Sequence, residues 1–247
     1  MKICIVSDIH YKIDSENAEE RQRHETILSF FRSIVGQYDL LILNGDIFDL
    51  WTESRLTLVK GYFPLLHVLA LIAESGTRLI YVSGNHDFWF GDFFRDILPL
   101  EIHTDRFSFT ADGRKILVCH GDDHTENDLR YRIFRRVVRS EIVRRLYSLL
   151  HPDLALEIGR AMSRSSRNRR TDTARMRLKT AGLESYAKRQ IKSKGQDIVI
   201  MGHSHNPTHK VLDKGEYLNS GDWITNFSYV NIIDGITTLC KYDRKSE

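Results

Sequence analysis

Short apolar runs punctuate this chain at Ile3 to Ser7, Leu40 to Asn44, Leu79 to Ser83, Ile116 to Cys119 and Ile198 to Met201. Runs of this length, rich in Val, Ile and Leu, predict strands buried on both faces. The stretches between the first three have another period. Glu16 to Val35 places Ile27, Phe30, Phe31 and Ile34 at three- and four-residue steps, and Leu56 to Ala73 does the same with Leu58, Tyr62, Leu65, Leu66 and Leu69. Each predicts a helix with one apolar face, and strand alternating with helix implies a sheet covered by helices. Toward the end of the chain the pattern is strand-like again, over Glu216 to Ser220, Ser228 to Ile233 and Ile236 to Lys241, with Asp234-Gly235 as a hairpin turn. The expected fold class is α/β, a two-layer mixed β-sandwich flanked by helices.

Between the fourth and fifth apolar runs the character changes. Leu129 to Leu150 carries Ile133, Phe134, Val137, Val138, Ile142, Leu146 and Leu150 on one broad stripe, with Arg132, Arg135, Arg136, Arg139, Arg144 and Arg145 mainly elsewhere. This predicts one amphipathic helix, which Pro152 ends or follows with another. Ser163 to Arg170 reads as a polar, basic link, and Thr173 to Lys192 as a further helix. From residue 124 to 194 there are 19 Lys and Arg against 7 Asp and Glu, a net of +12, while the rest carries 17 against 26, a net of −9. The expectation is a single domain over 1–247 whose acidic body bears a basic helical insert, or lid, at about 124–194. Cys4, Cys119 and Cys240 lie in apolar runs without paired spacing, as reduced thiols do. No basic leader follows Met1, and no stretch approaches the roughly 18 apolar residues of a membrane span, so a cytoplasmic location is expected.

Each buried run leads into a polar motif: Asp8-Ile-His10, Gly45-Asp46-Ile-Phe-Asp49, Gly84-Asn85-His86-Asp87, His120-Gly121-Asp122 and Gly202-His203-Ser-His205. The carboxyl ends of strands are where α/β sheets place ligands. Asp8 and His10, two apart on an extended backbone, should point to the same side and grip one ion, and His203 and His205 form a second such pair. Asp46 has two carboxylate oxygens with which to bridge two ions, while Asn85 offers an amide oxygen and His120 an imidazole. This mixture of N and O donors suits Mn, Fe or Zn better than Ca, with manganese the expectation. Two ions about 3.5 to 4 Å apart clamp a phosphoryl group and activate a water for in-line attack, so the expected substrate is a phosphate ester or anhydride. His86 stands beside a ligand and is assigned transition-state stabilisation or protonation of the leaving group, with Asp49 holding its ring and raising its pKa. Taken singly, each motif is an ordinary turn after a strand. Five in order are not. His24, His67, His103, His151 and His209 lack partnered spacing and read as core or surface residues, and His124 is open to either reading.

In this order the motifs resemble those of the calcineurin-like metallophosphoesterase superfamily, over essentially the whole chain outside the insert. The resemblance implies Asp8, His10, Asp46 and His205 on one divalent ion, Asp46, Asn85, His120 and His203 on the other, and His86 with Asp49 as a catalytic pair. The run from His120 to Asp128, then Tyr131, Phe134, Arg135 and Arg136, is similar to one branch of that superfamily, as are Trp51, Phe88-Trp89 and Tyr217 to Trp223. Members of that branch cleave the diphosphate of UDP-2,3-diacylglucosamine, a nucleotide-linked glycolipid of lipid A synthesis, to UMP and 2,3-diacylglucosamine 1-phosphate. This implies Asp122, Asp128, Tyr131, Arg135 and Arg136 as substrate-binding residues. Many of its best-known members carry Arg where His86 and Asn206 stand here, so the chain fits a broader relative.

The physical character of the insert agrees. A basic amphipathic segment beside an acidic metal site suits the anionic cytoplasmic face of an inner membrane, its apolar stripe gripping acyl chains while arginines meet a diphosphate. In the competing reading the stripe packs on the body and the arginines are a solvated face. The +12 charge would also attract nucleic acid, so a nuclease or nucleotide phosphodiesterase is the alternative activity. The basic residues are interleaved with aliphatics rather than base-stacking aromatics, so nucleic acid is not the expected partner. A membrane-recruited scaffold without turnover is a third reading, and the residues leave the oligomeric state open.

Overall fold

The computed structural model describes residues 1–15, 17–53, 57–124, 129–151, 153–159, 161 and 173–243. One sheet sets six strands side by side: Ile236–Lys241 (β11), Ser228–Ile233 (β10), Lys2–Val6 (β1), Leu40–Asn44 (β2), Arg78–Val82 (β3) and Glu101–His103 (β4). β1 to β4 run parallel and β10 is antiparallel to β1. The second sheet has the order Arg106–Ala111 (β5), Arg114–Cys119 (β6), Ile198–Met201 (β7), Gly215–Asn219 (β9) and Thr208–Leu212 (β8). Here β6, β7 and β9 are parallel, and the outer strands β5 and β8 are antiparallel to their neighbours.

The apolar runs read so strongly because each strand feeds two cores. Ile3, Ile5, Leu40, Ile42, Ile80 and Val82 face Ile116, Val118, Ile198, Ile200 and Leu218 between the sheets. The alternate residues Cys4, Val6, Leu41, Leu43 and Tyr81 face outward onto Ile27, Phe30 and Phe31 of α1 (Ala18–Ser33) and Leu65 and Leu69 of α2 (Phe63–Glu74). A short α3 (Phe93–Asp96) adds Phe94 to that layer. Behind the second sheet, Leu117, Cys119, Val199 and Met201 meet Leu183, Tyr186, Ala187 and Ile191. The expected sandwich with outer helices is the observed architecture. β4, β5 and β8 escaped the sequence pattern because they are short or lie at sheet edges, where one side faces water and apolar content falls.

Two helices differ from expectation. The helix expected from Leu56 starts later, with a 3-10 turn at Lys60–Tyr62 ahead of α2, whose first turn holds Pro64. Leu56 itself lies outside the described residues. In the insert, the single helix expected over Leu129 to Leu150 is two, α4 (Leu129–Val138) and α5 (Glu141–Ser148). Ser140 breaks it: its backbone is extended, with ψ 144°, and its Oγ accepts from Val143 N at 3.4 Å as the cap of α5. A helical segment over 153–159 (α6) and α7 (Thr173–Lys194) follow. The basic link from Ser163 to Arg170 lies outside the described residues. Among those described, no helix is long and apolar enough to cross a membrane.

Candidate metal centre

The five motif-bearing strands are contiguous. β1, β2 and β3 are neighbours in one sheet and β6 and β7 in the other, and all release the chain at one end of the sandwich. The sheets converge there: Asn44 Nδ2 donates to Cys119 O at 3.1 Å, joining the ends of β2 and β6. At Gly45, with φ +78°, a Cβ would come within 2.6 Å of His120 Nδ1, and at Gly84 within 2.2 Å of Asp46 Oδ1. Only hydrogen fits at either place.

Past the strands the backbone does not stay extended. Asp8, His10, Asp46, His203 and His205 have φ of 52°, 46°, 54°, 65° and 56°, the left-handed region that costs a non-glycine residue about 1 kcal/mol or more. These turns replace the extended geometry expected for the two Asp-His and His-His pairs. Asp8 and His10 still meet, and His205 joins them, its Nε2 lying 3.1 Å from Asp8 Oδ1 and 3.4 Å from His10 Nε2. His203 and His205 separate. His203 Nδ1 lies 3.0 Å from Asn85 Oδ1, which is 3.3 Å from His120 Nε2. A left-handed residue swings the chain through a turn, so positions two apart need not share a side.

Asp46 stands between these two groups. Its Oδ1 accepts from Asn85 N at 2.8 Å and His86 N at 2.9 Å, while Oδ2 faces His120 Nε2 at 3.5 Å, His10 Nε2 at 3.6 Å and His86 Nε2 at 4.0 Å. One oxygen faces both groups, in place of the two-oxygen bridge expected, because main-chain amides occupy the other. His86 Nδ1–H donates to the carbonyl of Asp49 at 2.8 Å, which turns Nε2 toward Asp46. The ring is thus held by the Asp49 main chain, while the Asp49 carboxylate lies 4.0 Å from His10 Nδ1.

The charges favour a cation. Burial opposes ionisation of Asp46, but His120, His86 and His10 outweigh it and hold the carboxyl well below the usual range. Burial also lowers His120, and Asp46 reverses the balance, pushing it up to about 10. His203 is driven well below its usual value by burial and then by the cation of Lys179 on α7. A proton shared between imidazole and carboxylate is what a divalent ion displaces on binding. Asp8 Oδ1 and His86 Nε2 are buried without a hydrogen-bond partner among the described residues. Asp8, His10 and His205, and likewise Asp8, Asp46 and His120, bring ligand atoms within 4.8 Å of one another. Buried N and O donors so grouped fit a divalent transition metal.

Two carboxylates to which the sequence pattern assigns no role brace this centre. Asp222 Oδ2 is 3.4 Å from His205 Nδ1, and its Oδ1 accepts from the amides of Ile224, Thr225 and Asn226. Asp87, fully buried, accepts from the amides of Asp46 (2.9 Å), Ile47 (2.6 Å), Phe48 (3.3 Å) and Gly84 (2.9 Å) and from the Tyr81 hydroxyl. The acid that closes the Gly-Asn-His-Asp motif is visible in the sequence, but three of its four amide donors come from the loop past another strand's end. Asp87→Ala should lower the stability of the metal-free protein by about 3 kcal/mol or more, since it strands several buried donors. Urea unfolding checks this, and a loss below about 1 kcal/mol would mean that the loops hold themselves.

The insert reaches the centre through arginines. Arg135 Nε donates to Asp122 Oδ2 at 2.7 Å and its Nη2 to Asp105 Oδ1 at 3.3 Å, so two of the expected substrate-binding residues hold each other. Arg136 is exposed. Tyr131 lies on α4, its side chain outside the description, and Asp128 lies outside the described residues. Arg139, one of the arginines expected off the apolar stripe, donates to Gly84 O at 2.6 Å and Thr104 O at 3.1 Å, and Trp89 Nε1 donates to Val138 O at 3.1 Å. Much of the apolar stripe does not pack on the body: Ile133, Val137, Ile142 and Leu146, with the adjoining Leu149, are 53 to 81% exposed, while Val138 and Leu150 are half-buried.

Compared with known proteins, residues 1–207 match the calcineurin-like phosphoesterase family. The UDP-2,3-diacylglucosamine hydrolase of Porphyromonas gingivalis is 26% identical over 253 residues, covering 96% of this chain and 96% of its own. That of Ralstonia nicotianae is 27% identical over 221 residues, covering 85% of this chain and 82% of its own. Among solved structures, Yfce, a phosphoesterase from E. coli, aligns with a TM-score of 0.48 and 14% identity over 98% of this chain and 93% of its own.

Proposed function

The chain belongs to the calcineurin-like phosphoesterases and is a metal-dependent hydrolase, and we propose that it cleaves the diphosphate of UDP-2,3-diacylglucosamine to UMP and 2,3-diacylglucosamine 1-phosphate. The observation that carries this choice of substrate is the exposed apolar stripe on a basic cap joined to the metal-binding loops, since a water-soluble diester gives such a stripe nothing to bind. Relatives that bear the name of this activity over almost their whole length support the same choice.

Two divalent ions, manganese first and iron or zinc as alternatives, complete the site. Asp8, His10, Asp46 and His205 hold one, and Asp46, Asn85, His120 and His203 the other. When bound, such ions neutralise phosphoryl oxygens and lower the pKa of a water. The chain itself supplies the rest. His86, its Nδ1 fixed on the Asp49 carbonyl, keeps Nε2 free to stabilise charge on the phosphoryl group or pass a proton to the leaving oxygen. The stripe on α4 and α5 takes the acyl chains. The net charge of +12 over the insert supports peripheral attachment to the anionic cytoplasmic face of the inner membrane.

With manganese added, UDP-2,3-diacylglucosamine should release UMP much faster than the protein hydrolyses bis-p-nitrophenyl phosphate or single-stranded DNA. Hydrolysis of the small diester or of DNA alone would keep the phosphoesterase chemistry and discard the lipid. Turnover of any of the three excludes a scaffold without activity.

A further inference from the structure

Arg23 lies on α1, outside every motif, and is 8% exposed. A guanidinium has five N–H groups, and here each makes a hydrogen bond. Nε donates to Glu20 Oε1 at 2.9 Å, Nη1 to Ile9 O at 2.7 Å and Trp223 O at 3.4 Å, and Nη2 to His10 O at 2.9 Å and to Glu20 Oε1. Glu20 supplies the counter-charge that a buried guanidinium requires, and is itself held by Lys12 Nζ at 2.6 Å.

The three carbonyls are not scattered. Ile9 and His10 belong to the left-handed turn that carries Asp8 and His10. Trp223 follows Asp222, whose carboxylate faces the His205 ring, and Trp223 N donates back to Asp8 O at 3.1 Å. One planar group therefore spans the two loops that carry or orient Asp8, His10 and His205. None of its hydrogen bonds goes to the loops of Asn85, His120 or His203. The turn of Asp8 and His10 is not stable by local preference alone, because both residues are left-handed.

We propose that Arg23 is a positioning residue that sets the affinity of the Asp8, His10 and His205 group for its ion, and leaves the other group unaffected. This rests on the reading that the centre takes two ions. Lysine in its place retains the charge opposite Glu20 but has no fork with which to hold three carbonyls at once.

Manganese titration of the full chain, with free ion counted by electron paramagnetic resonance, tests it. The parent should take up two ions. R23K should keep one at parental affinity and bind the other about 10 to 100-fold more weakly, the usual scale for loss of a residue that orients ligands. K12M, which removes the other cation on Glu20 but none of the hydrogen bonds of Arg23, should bind both as the parent does. Parental binding of both ions by R23K, equal weakening of both, or the same selective loss in K12M overturns the role of Arg23. A parent that takes up fewer than two ions refutes the two-ion reading instead. If R23K does not fold, E20Q serves: it loosens the guanidinium from its anchor and should weaken the same single ion, whereas unchanged or equal binding at both rejects the proposal.

Discussion

Asp46→Ala is expected to reduce turnover by about 10³-fold or more, equivalent to about 4 kcal/mol of transition-state stabilisation, and to remove tight metal binding. The reason is the double use of one carboxylate. Oδ2 is the oxygen that faces His10 in one ligand group and His120 in the other, while Oδ1 holds the amides of Asn85 and His86. Alanine removes the shared ligand and releases the loop that carries a second ligand and the proposed proton donor. Other ligands serve one group each, so their loss should be partly overcome by excess metal. Steady-state kinetics over a range of manganese concentrations measures this directly. Asp46→Ala protein within tenfold of the parent at saturating metal would show that the two groups do not act through Asp46.

Replacing Ile142, Leu146 and Leu149 together by serine should lower kcat/KM for UDP-2,3-diacylglucosamine by about 100-fold while leaving bis-p-nitrophenyl phosphate within about twofold. Burying an aliphatic side chain against an acyl chain is worth roughly 1.5 to 3 kcal/mol when complete, and three partial burials reach the roughly 2.8 kcal/mol that a hundredfold change requires. The folded protein should hardly notice, because these side chains are 61 to 81% exposed. Arg135 is a poorer probe of the same idea, since its guanidinium is already engaged by Asp122 and Asp105. Equal loss on both substrates would mean that the stripe supports the site rather than the lipid, and the choice of substrate would fall with it.

The residues of the centre were legible because their strands are. A strand buried on both faces, such as β1 or β7, is an unbroken apolar run, and the first polar residues past it stand at the end of the sheet whatever the topology. Asp8, Asp46, Asn85, His120 and His203 could be named from that pattern. Arg23 and Asp222 could not, nor could the role of Asp87. Arg23 and Asp87 meet main-chain carbonyls and amides of distant loops, and Asp222 meets the ring of His205. A sequence carries no mark of which distant atom a side chain will meet.

The insert shows the same division. Its charge and its stripe are properties of the residue order, and both are present in the folded chain. The break at Ser140 turns on a capping hydrogen bond, a small local preference that outweighed a continuous apolar period. Whether the stripe faced the body or water depended on which other residues, Trp89 and Arg139 among them, tied the helices down.

By itself the sequence determined where strands end, which donors gather at those ends, and that an acidic body carries a basic cap, since periodicity and composition are local. Only the tertiary structure decided that His203 and His205 part company, that Asp46 presents one oxygen to both groups, and that Arg23 holds one group alone. Those outcomes depend on strand order and on strained turns, and packing between residues far apart in the chain is what keeps such turns in place.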